Sequence, residues 1–271
     1  MGIDADWAAI RSSGRGREEV EARLSVHYAL QLVASVGQQL APRLDDDSQQ
    51  SAAVEEPLWL GVPVGGGRLR AGLDPVGLTL HVCDGAARSL APLSLGGQTL
   101  ESGLAFLRAE LGQRGVPAER LSVPTHPPDF PVHALAGGSA FPLGASPHRA
   151  ELASLFAASR GLQASLRGSL ENPIRLWPHH FDLACTVRVG AISVGLGFSP
   201  GDGTTGQPYW YATLSPRPAG ALPPLRGDGA WHLEGWFGAE LPIARLLEGP
   251  GARHAQVLSF YESALAAARG A

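Results

Sequence analysis

The sequence predicts an α+β fold. Four apolar-striped helical stretches are interleaved with runs of short β-patterned segments, and both halves of the chain read in the order helix, strands, helix. With 35 glycines and 22 prolines, about a fifth of the 271 residues punctuate the runs, so many turns and short strands are expected. The expected architecture is two similar helix, antiparallel-meander, helix halves packed as one unit, with a pseudo-twofold relation between them.

Each element has its own justification. Residues 1–17 lack periodicity and are expected to be a loose tail. The N-terminal α+β half then runs over 18–122. In its first helix Leu24, Tyr28, Leu32, Val36 and Leu40 recur every four residues, and Pro42 marks the end. The acidic stretch "DDDSQQSAAVEE" reads as a linker. It leads to "LWLGVPV", "RLRAGLD", "VGLTLHVC" and "SLAPLSL", β-patterned runs separated by Gly, Pro and Asp. A second helix carries Leu100, Leu104, Leu107 and Leu111 on one stripe and stops between Gly112 and Gly115.

Residues 123–145 form a Pro-rich connector whose Phe130, Val132, Leu135, Phe141 and Leu143 are expected to pack. The C-terminal half, 146–271, opens with Ser146 as N-cap and Pro147 in the first turn of a helix. Four β-patterned runs follow, "ENPIRLWPHHFDLACTVRV", "AISVGLGFS", "PYWYATL" and "WHLEGWFGAEL", and "HAQVLSFYESALAAAR" closes the chain as a helix.

Composition excludes several function classes. A formal charge of -4 with scattered arginines gives no global attraction to a phosphate backbone, so nucleic acid is not an expected partner. All 21 basic residues are arginine, which removes Schiff-base lysines and the Gly-Lys-Ser/Thr phosphate loop. With the Ala/Gly/Leu/Arg bias, this is the composition of a GC-rich bacterial genome. Cys83 and Cys185 each sit in an apolar run and read as small buried hydrophobes. Neither a signal-peptide core, an apolar run of membrane-spanning length nor a myristoylation pattern is present, so the expected address is the cytoplasm, with no membrane partner.

The residues that could carry chemistry gather late in the chain. "GFSPG" at Gly197 to Gly201 matches a nucleophile elbow, yet Pro200 has no N–H to complete an oxyanion hole and a loop follows instead of a helix. Ser199 is therefore expected to sit in a turn, with Asp202 capping backbone amides or facing a ligand. A strand period of two through "WPHHFDLA" sets His180 and Asp182 on one face, and the same period pairs His232 with Glu234 in "WHLEGW". These are the residue types for a divalent metal or for acid–base work, and equally those of satisfied polar pairs. In "PYWYATL" Tyr209 and Tyr211 share one face while Trp210 takes the other. On the first helix His27 and Gln31 lie one turn apart, facing a crevice or a solvated edge.

The stretches "RLWPHHFDLA", "ISVGLGFSPGD", "PYWYATLSPRP", "WHLEGWFGAEL" and "LSVHYALQLVASVGQQLAP" together resemble a bacterial family catalogued as domain of unknown function 5996. The resemblance extends over nearly the whole chain past residue 20. It brings no activity, and it points to His27, Gln31, His179, His180, Asp182, Ser199, Asp202, Tyr209, Tyr211, His232 and Glu234 as motif positions. "ATLSPRP" departs from the Pro-Trp-Pro that the resemblance implies there.

The expected function is binding of a small polar ligand in an aromatic and His/Asp/Glu pocket of the C-terminal half. His180, Asp182, Asp202, Tyr209, Tyr211, His232, Glu234, His27 and Gln31 are its candidate residues. A hydrolase using the same residues, metal-dependent or acid–base, is the alternative, with His180, Asp182, His232 and Glu234 as metal candidates. A structural or regulatory homo-oligomer without a site is the third reading.

Overall fold

The computed structural model describes residues 3–10, 16–166, 170–218 and 221–270. Its helices are α1 (Ile3–Ala9), α2 (Arg17–Leu40), α3 (Leu100–Gln113), α4 (Pro147–Ser165) and α5 (Pro250–Arg269). Its strands are β1 (Ala52–Val54), β2 (Trp59–Gly61), β3 (Leu69–Asp74), β4 (Thr79–Asp84), β5 (Ser89–Ser94), β6 (Arg175–Trp177), β7 (Asp182–Val189), β8 (Ile192–Ser199), β9 (Tyr209–Ser215), β10 (Ala230–His232) and β11 (Gly238–Pro242). The fold is α+β with antiparallel pairing. No helix among the described residues is long and apolar enough to cross a membrane.

Internal contacts divide the chain into two compact units. The N-terminal unit is Arg17–Ala153 with Leu176–Phe181, and the C-terminal unit is Met1–Gly16, Ser154–Arg175 and Asp182–Ala271. The boundary therefore runs through "RLWPHHFDLA" itself, where a sequence reading places one continuous strand.

In the N-terminal unit β2 to β5 form the expected antiparallel meander. The expected acidic linker also contains a strand: β1 pairs with β2, and Ala52 faces Leu176 of β6. Three short residues, Ala52 to Val54, are too few to show a period of two. Helix α2 packs on β2, β3 and α3, burying Leu30, Leu32, Val33 and Val36. Each such side chain contributes about 1.5–3 kcal/mol. Glu18 and Glu19 complement the dipole in its first turn. Helix α3 is capped by Thr99, whose hydroxyl accepts from the Ser102 amide at 3.1 Å. In the connector Leu135 and Phe141 are buried, whereas Val132 and Leu143 stand 96% and 80% exposed, against expectation.

In the C-terminal unit β7, β8, β9, β11 and β10 lie side by side in that order. The alternation of "DLACTVRV", "ISVGLGFS" and "YWYATLS" sorts Leu183, Cys185, Val187, Val194, Leu196, Phe198, Trp210, Ala212 and Leu214 onto one buried face. Helix α5 packs against β7, β8, β9 and β11. Tyr261 of α5 donates to the Gly197 carbonyl at 2.7 Å, and the Trp210 indole donates to Ser159 of α4 at 3.0 Å. Both cysteines are free and buried, and burial pushes their thiols up to about 11 at Cys83 and about 12 at Cys185. They are unreactive hydrophobes, as read from their apolar runs.

The expected loose tail gives way to α1. Trp7 is fully buried with its ring 5.6 Å from Trp210, and its indole donates to His254 at 3.1 Å. The Arg253 guanidinium donates to the Trp7 and Ile10 carbonyls at 3.0 and 2.7 Å, satisfying acceptors at the helix end. One tryptophan with a prepared hydrophobic seat anchors a helix too short to be recognised by periodicity. Residues 11–15 of that expected tail lie outside the described residues.

Candidate functional site

The other face of the C-terminal unit's sheet is polar. Registers put Asp182, Ser199, Gly197, Tyr209, Tyr211, Glu240, Gly238 and His232 on it, opposite to the Trp210 face. Tyr211 reaches over Gly197 on β8 and donates its hydroxyl to Asp182 on β7 in a very short hydrogen bond. The crossing needs a glycine: a Cβ at Gly197 would stand 2.0 Å from the phenol Cζ. Burial of its hydroxyl end, then the Asp182 charge, hold the Tyr211 phenol well above its ordinary pKa.

Tyr209, with its ring 6.1 Å from Tyr211, donates to Asp202 at 2.6 Å. Burial and that carboxylate raise its pKa as well. The other Asp202 oxygen accepts from the Thr204 and Thr205 amides at 2.7 and 2.6 Å. Asp202 thus caps its own loop, the first of the two roles the sequence offered it. Ser199 is 2% exposed and its hydroxyl accepts from the Gly201 amide at 3.2 Å, in the expected turn with no helix after it.

The edge of this face is built differently from the sequence reading. Strand β10 ends at His232 and the chain bends, so "WHLEGWFGAEL" is a hairpin and not one strand. Gly235, at φ +81, makes the bend, and Glu234 lies exposed in it. His232 pairs instead with Trp236: the rings stack at 4.3 Å and the imidazole Nδ1 donates to the Trp236 carbonyl at 2.9 Å. A carbonyl can only accept, so in the neutral ring Nε2 carries the lone pair. The Trp236 indole lies over Gly238, where a Cβ would stand 2.3 Å from Cζ3, and meets Tyr211 edge-on at 6.3 Å.

Glu240 was missed by sequence reasoning. It sits directly across from Tyr211 on β9 and from Ala230 on β10, and its Oε2 is buried without a hydrogen-bond partner among the described residues. The signal was available in principle: in "FGAEL" Gly238 and Glu240 alternate with apolar Ala239 and Leu241.

The histidine stretch belongs to the N-terminal unit. Strand β6 stops at Trp177, Pro178 to His180 turn, and Phe181 takes a left-handed φ of +56 before β7 begins at Asp182. The period of two breaks at that residue, so it no longer places His180 and Asp182 on a common strand face. The Pro178 carbonyl accepts from His27 Nε2 at 2.8 Å and from Gln31 Nε2 at 2.7 Å. Phe181 stacks on the His27 ring at 4.7 Å. His126 donates to the Gln31 amide oxygen at 3.2 Å and stacks on Phe130 at 3.6 Å.

His27 and Gln31 are 4% and 1% exposed, and these bonds hold the turn. Burial pushes the His27 imidazole down to about 3, and burial with the neighbouring His180 pushes His179 down to about 4. Both rings are neutral near pH 7. His180 is exposed, 4.0 Å from Asp129.

Within the C-terminal unit, Asp182 on β7 and His232 on β10 are four strand steps apart. At about 4.8 Å per step, and with His232 in register with Thr186, four residues or about 13 Å along β7 from Asp182, their backbones stand roughly 23 Å apart, so they do not meet directly. What links them is the ring series Tyr211, Trp236, His232. Among the described residues no three His, Cys, Asp or Glu side chains gather as a metal site. Comparison with known proteins brings no match to a family model, a curated protein or a solved structure.

Proposed function

We propose that the polar face of the C-terminal unit binds a small polar ligand, with Tyr211 and Asp182 at its centre and Trp236 and His232 as its aromatic wall. The observation that carries this reading is the Tyr211–Asp182 pair crossing above Gly197. A strand glycine forfeits side-chain packing, and here it makes room for a polar pair on a half-exposed face. The resemblance of "PYWYATL" and "RLWPHHFDLA" to the domain of unknown function 5996 family supports the same residues, without adding a reaction. Both phenols hold their protons to high pH, which suits groups that orient a ligand by donating and accepting hydrogen bonds better than groups that abstract a proton.

The test is a thermal-shift panel of small amines, amino acids, sugars and organic acids, repeated on Tyr211→Phe and Asp182→Asn. At least one compound should raise the melting temperature of the wild-type protein, and both substitutions should reduce that shift. A panel without effect, or shifts that survive both substitutions, would remove the reading.

A further inference from the structure

Resting on that reading, we infer that the ligand class is a small organic cation, an ammonium or guanidinium group, with Glu240 as its counter-ion and Trp236 and Tyr211 as its aromatic walls. Among the described residues, the buried Oε2 of Glu240 lacks a donor, and so does the buried Oε1 of Gln207, two residues before Tyr209. Both atoms are acceptors, so what each lacks is a donor. An unpaired buried carboxylate oxygen is costly, and an ammonium or guanidinium N–H supplies the bond and the charge together.

No arginine of the unit fills that place through a described contact. Arg188 is held by Glu171 at 2.8 Å, Arg226 by Glu262 at 3.4 Å, and Arg245 donates to the Asp228 carbonyl at 3.0 Å. Arg217 lies over the Phe237 ring, 4.5 Å from its centroid. Asp182 and Glu240 leave the face negative, which disfavours an anion.

Aromatic rings flank Glu240 as well. Gly238 and Glu240 are adjacent positions on the same face, about 7 Å apart along the strand, and the Trp236 indole lies over Gly238. Tyr211 is directly opposite Glu240. A cation against Glu240 therefore lies within reach of the tryptophan face, with the Tyr211 ring 6.3 Å from that indole on the side of β8, and aromatic faces attract a cation through their ring quadrupoles. A sugar would stack on the indole and leave the carboxylate charge uncompensated.

The experiment is calorimetric titration of the intact protein with tetramethylammonium, methylammonium and guanidinium chlorides at low millimolar concentration, against sodium chloride at matched ionic strength. Glucose and acetate serve as neutral and anionic probes. At least one organic cation should bind saturably where sodium does not. Glu240→Gln, which keeps size and shape, should weaken binding tenfold or more, as should Trp236→Leu, while Glu248→Gln should leave it unchanged. Absence of saturable cation binding, or binding indifferent to Glu240→Gln, overturns the inference. If glucose or acetate binds in a Tyr211-dependent manner and the cations do not, the cation class falls and the ligand face stands. If none of the probes binds and the wider thermal-shift panel is also silent, both fall.

Discussion

Gly197 lies beneath the phenol of Tyr211, so close that any Cβ at position 197 would stand 2.0 Å from the ring. A strand interior ordinarily disfavours glycine; here the missing side chain lets a tyrosine on β9 span β8 and reach a carboxylate on β7. Gly197→Ala should cost about 1–3 kcal/mol through overpacking. Combining it with Tyr211→Ala should cost less than the sum of the two. Urea unfolding of the three variants measures this, and additive losses would show that the ring does not depend on the glycine.

Tyr211→Phe removes the donor and leaves Asp182 with a lost bond, while Asp182→Asn keeps an acceptor. Each should cost about 1–3 kcal/mol, the range for losing one partner of a buried polar pair. A double-mutant cycle should return a coupling energy well above zero. Coupling within error of zero would mean the short contact contributes nothing to stability.

The His27 imidazole, held at about 3 in the folded chain against 6.5 when free, gives stability a defined acid dependence. Between those values only the unfolded chain takes up the proton, so the contribution is complete above pH 6.5 and is lost as pH falls toward 3. The slope is about 1.4 kcal/mol per pH unit for one proton. Urea midpoints measured between pH 7 and 4 should fall more gently in His27→Gln than in wild type. His179, held at about 4, adds its own smaller part in the same direction, so the acid limb should flatten without vanishing.

Ser199→Ala should leave ligand binding intact and cost about 1 kcal/mol, since its hydroxyl accepts a turn amide and Pro200 supplies no oxyanion donor. Stoichiometric labelling of Ser199 by a fluorophosphonate probe would contradict this.

Elements long enough to show their period were legible in the sequence: α2 to α5, the β2–β5 meander, and the sorting of Tyr209 and Tyr211 away from Trp210. What failed did so for local reasons. Phe181, at φ +56, stops the alternation that seemed to join His180 to Asp182, because the His27 ring offers it a stacking surface from another element. Gly235 does the same between His232 and Glu234. The β1 strand and α1 are too short to carry a pattern, and their stability comes in part from partners far along the chain, Leu176 for the one and Trp210 with Arg253 for the other. Glu240 was hidden because a single acid in an apolar strand looks like any solvated position until its register opposite Tyr211 is known.

The most direct measurement follows the indole N–H signals of the protein labelled with 15N-tryptophan while a compound that raises the melting temperature is added. The Trp236 signal, assigned by Trp236→Leu, should move with saturation. The Trp210 signal, whose N–H is bonded to Ser159 on the opposite face, should stay in place. Tyr211→Phe should shift the saturation of the Trp236 signal to higher concentration. A Trp236 signal that does not move, or movement at Trp210 alone, would contradict the assignment of the ligand to this face.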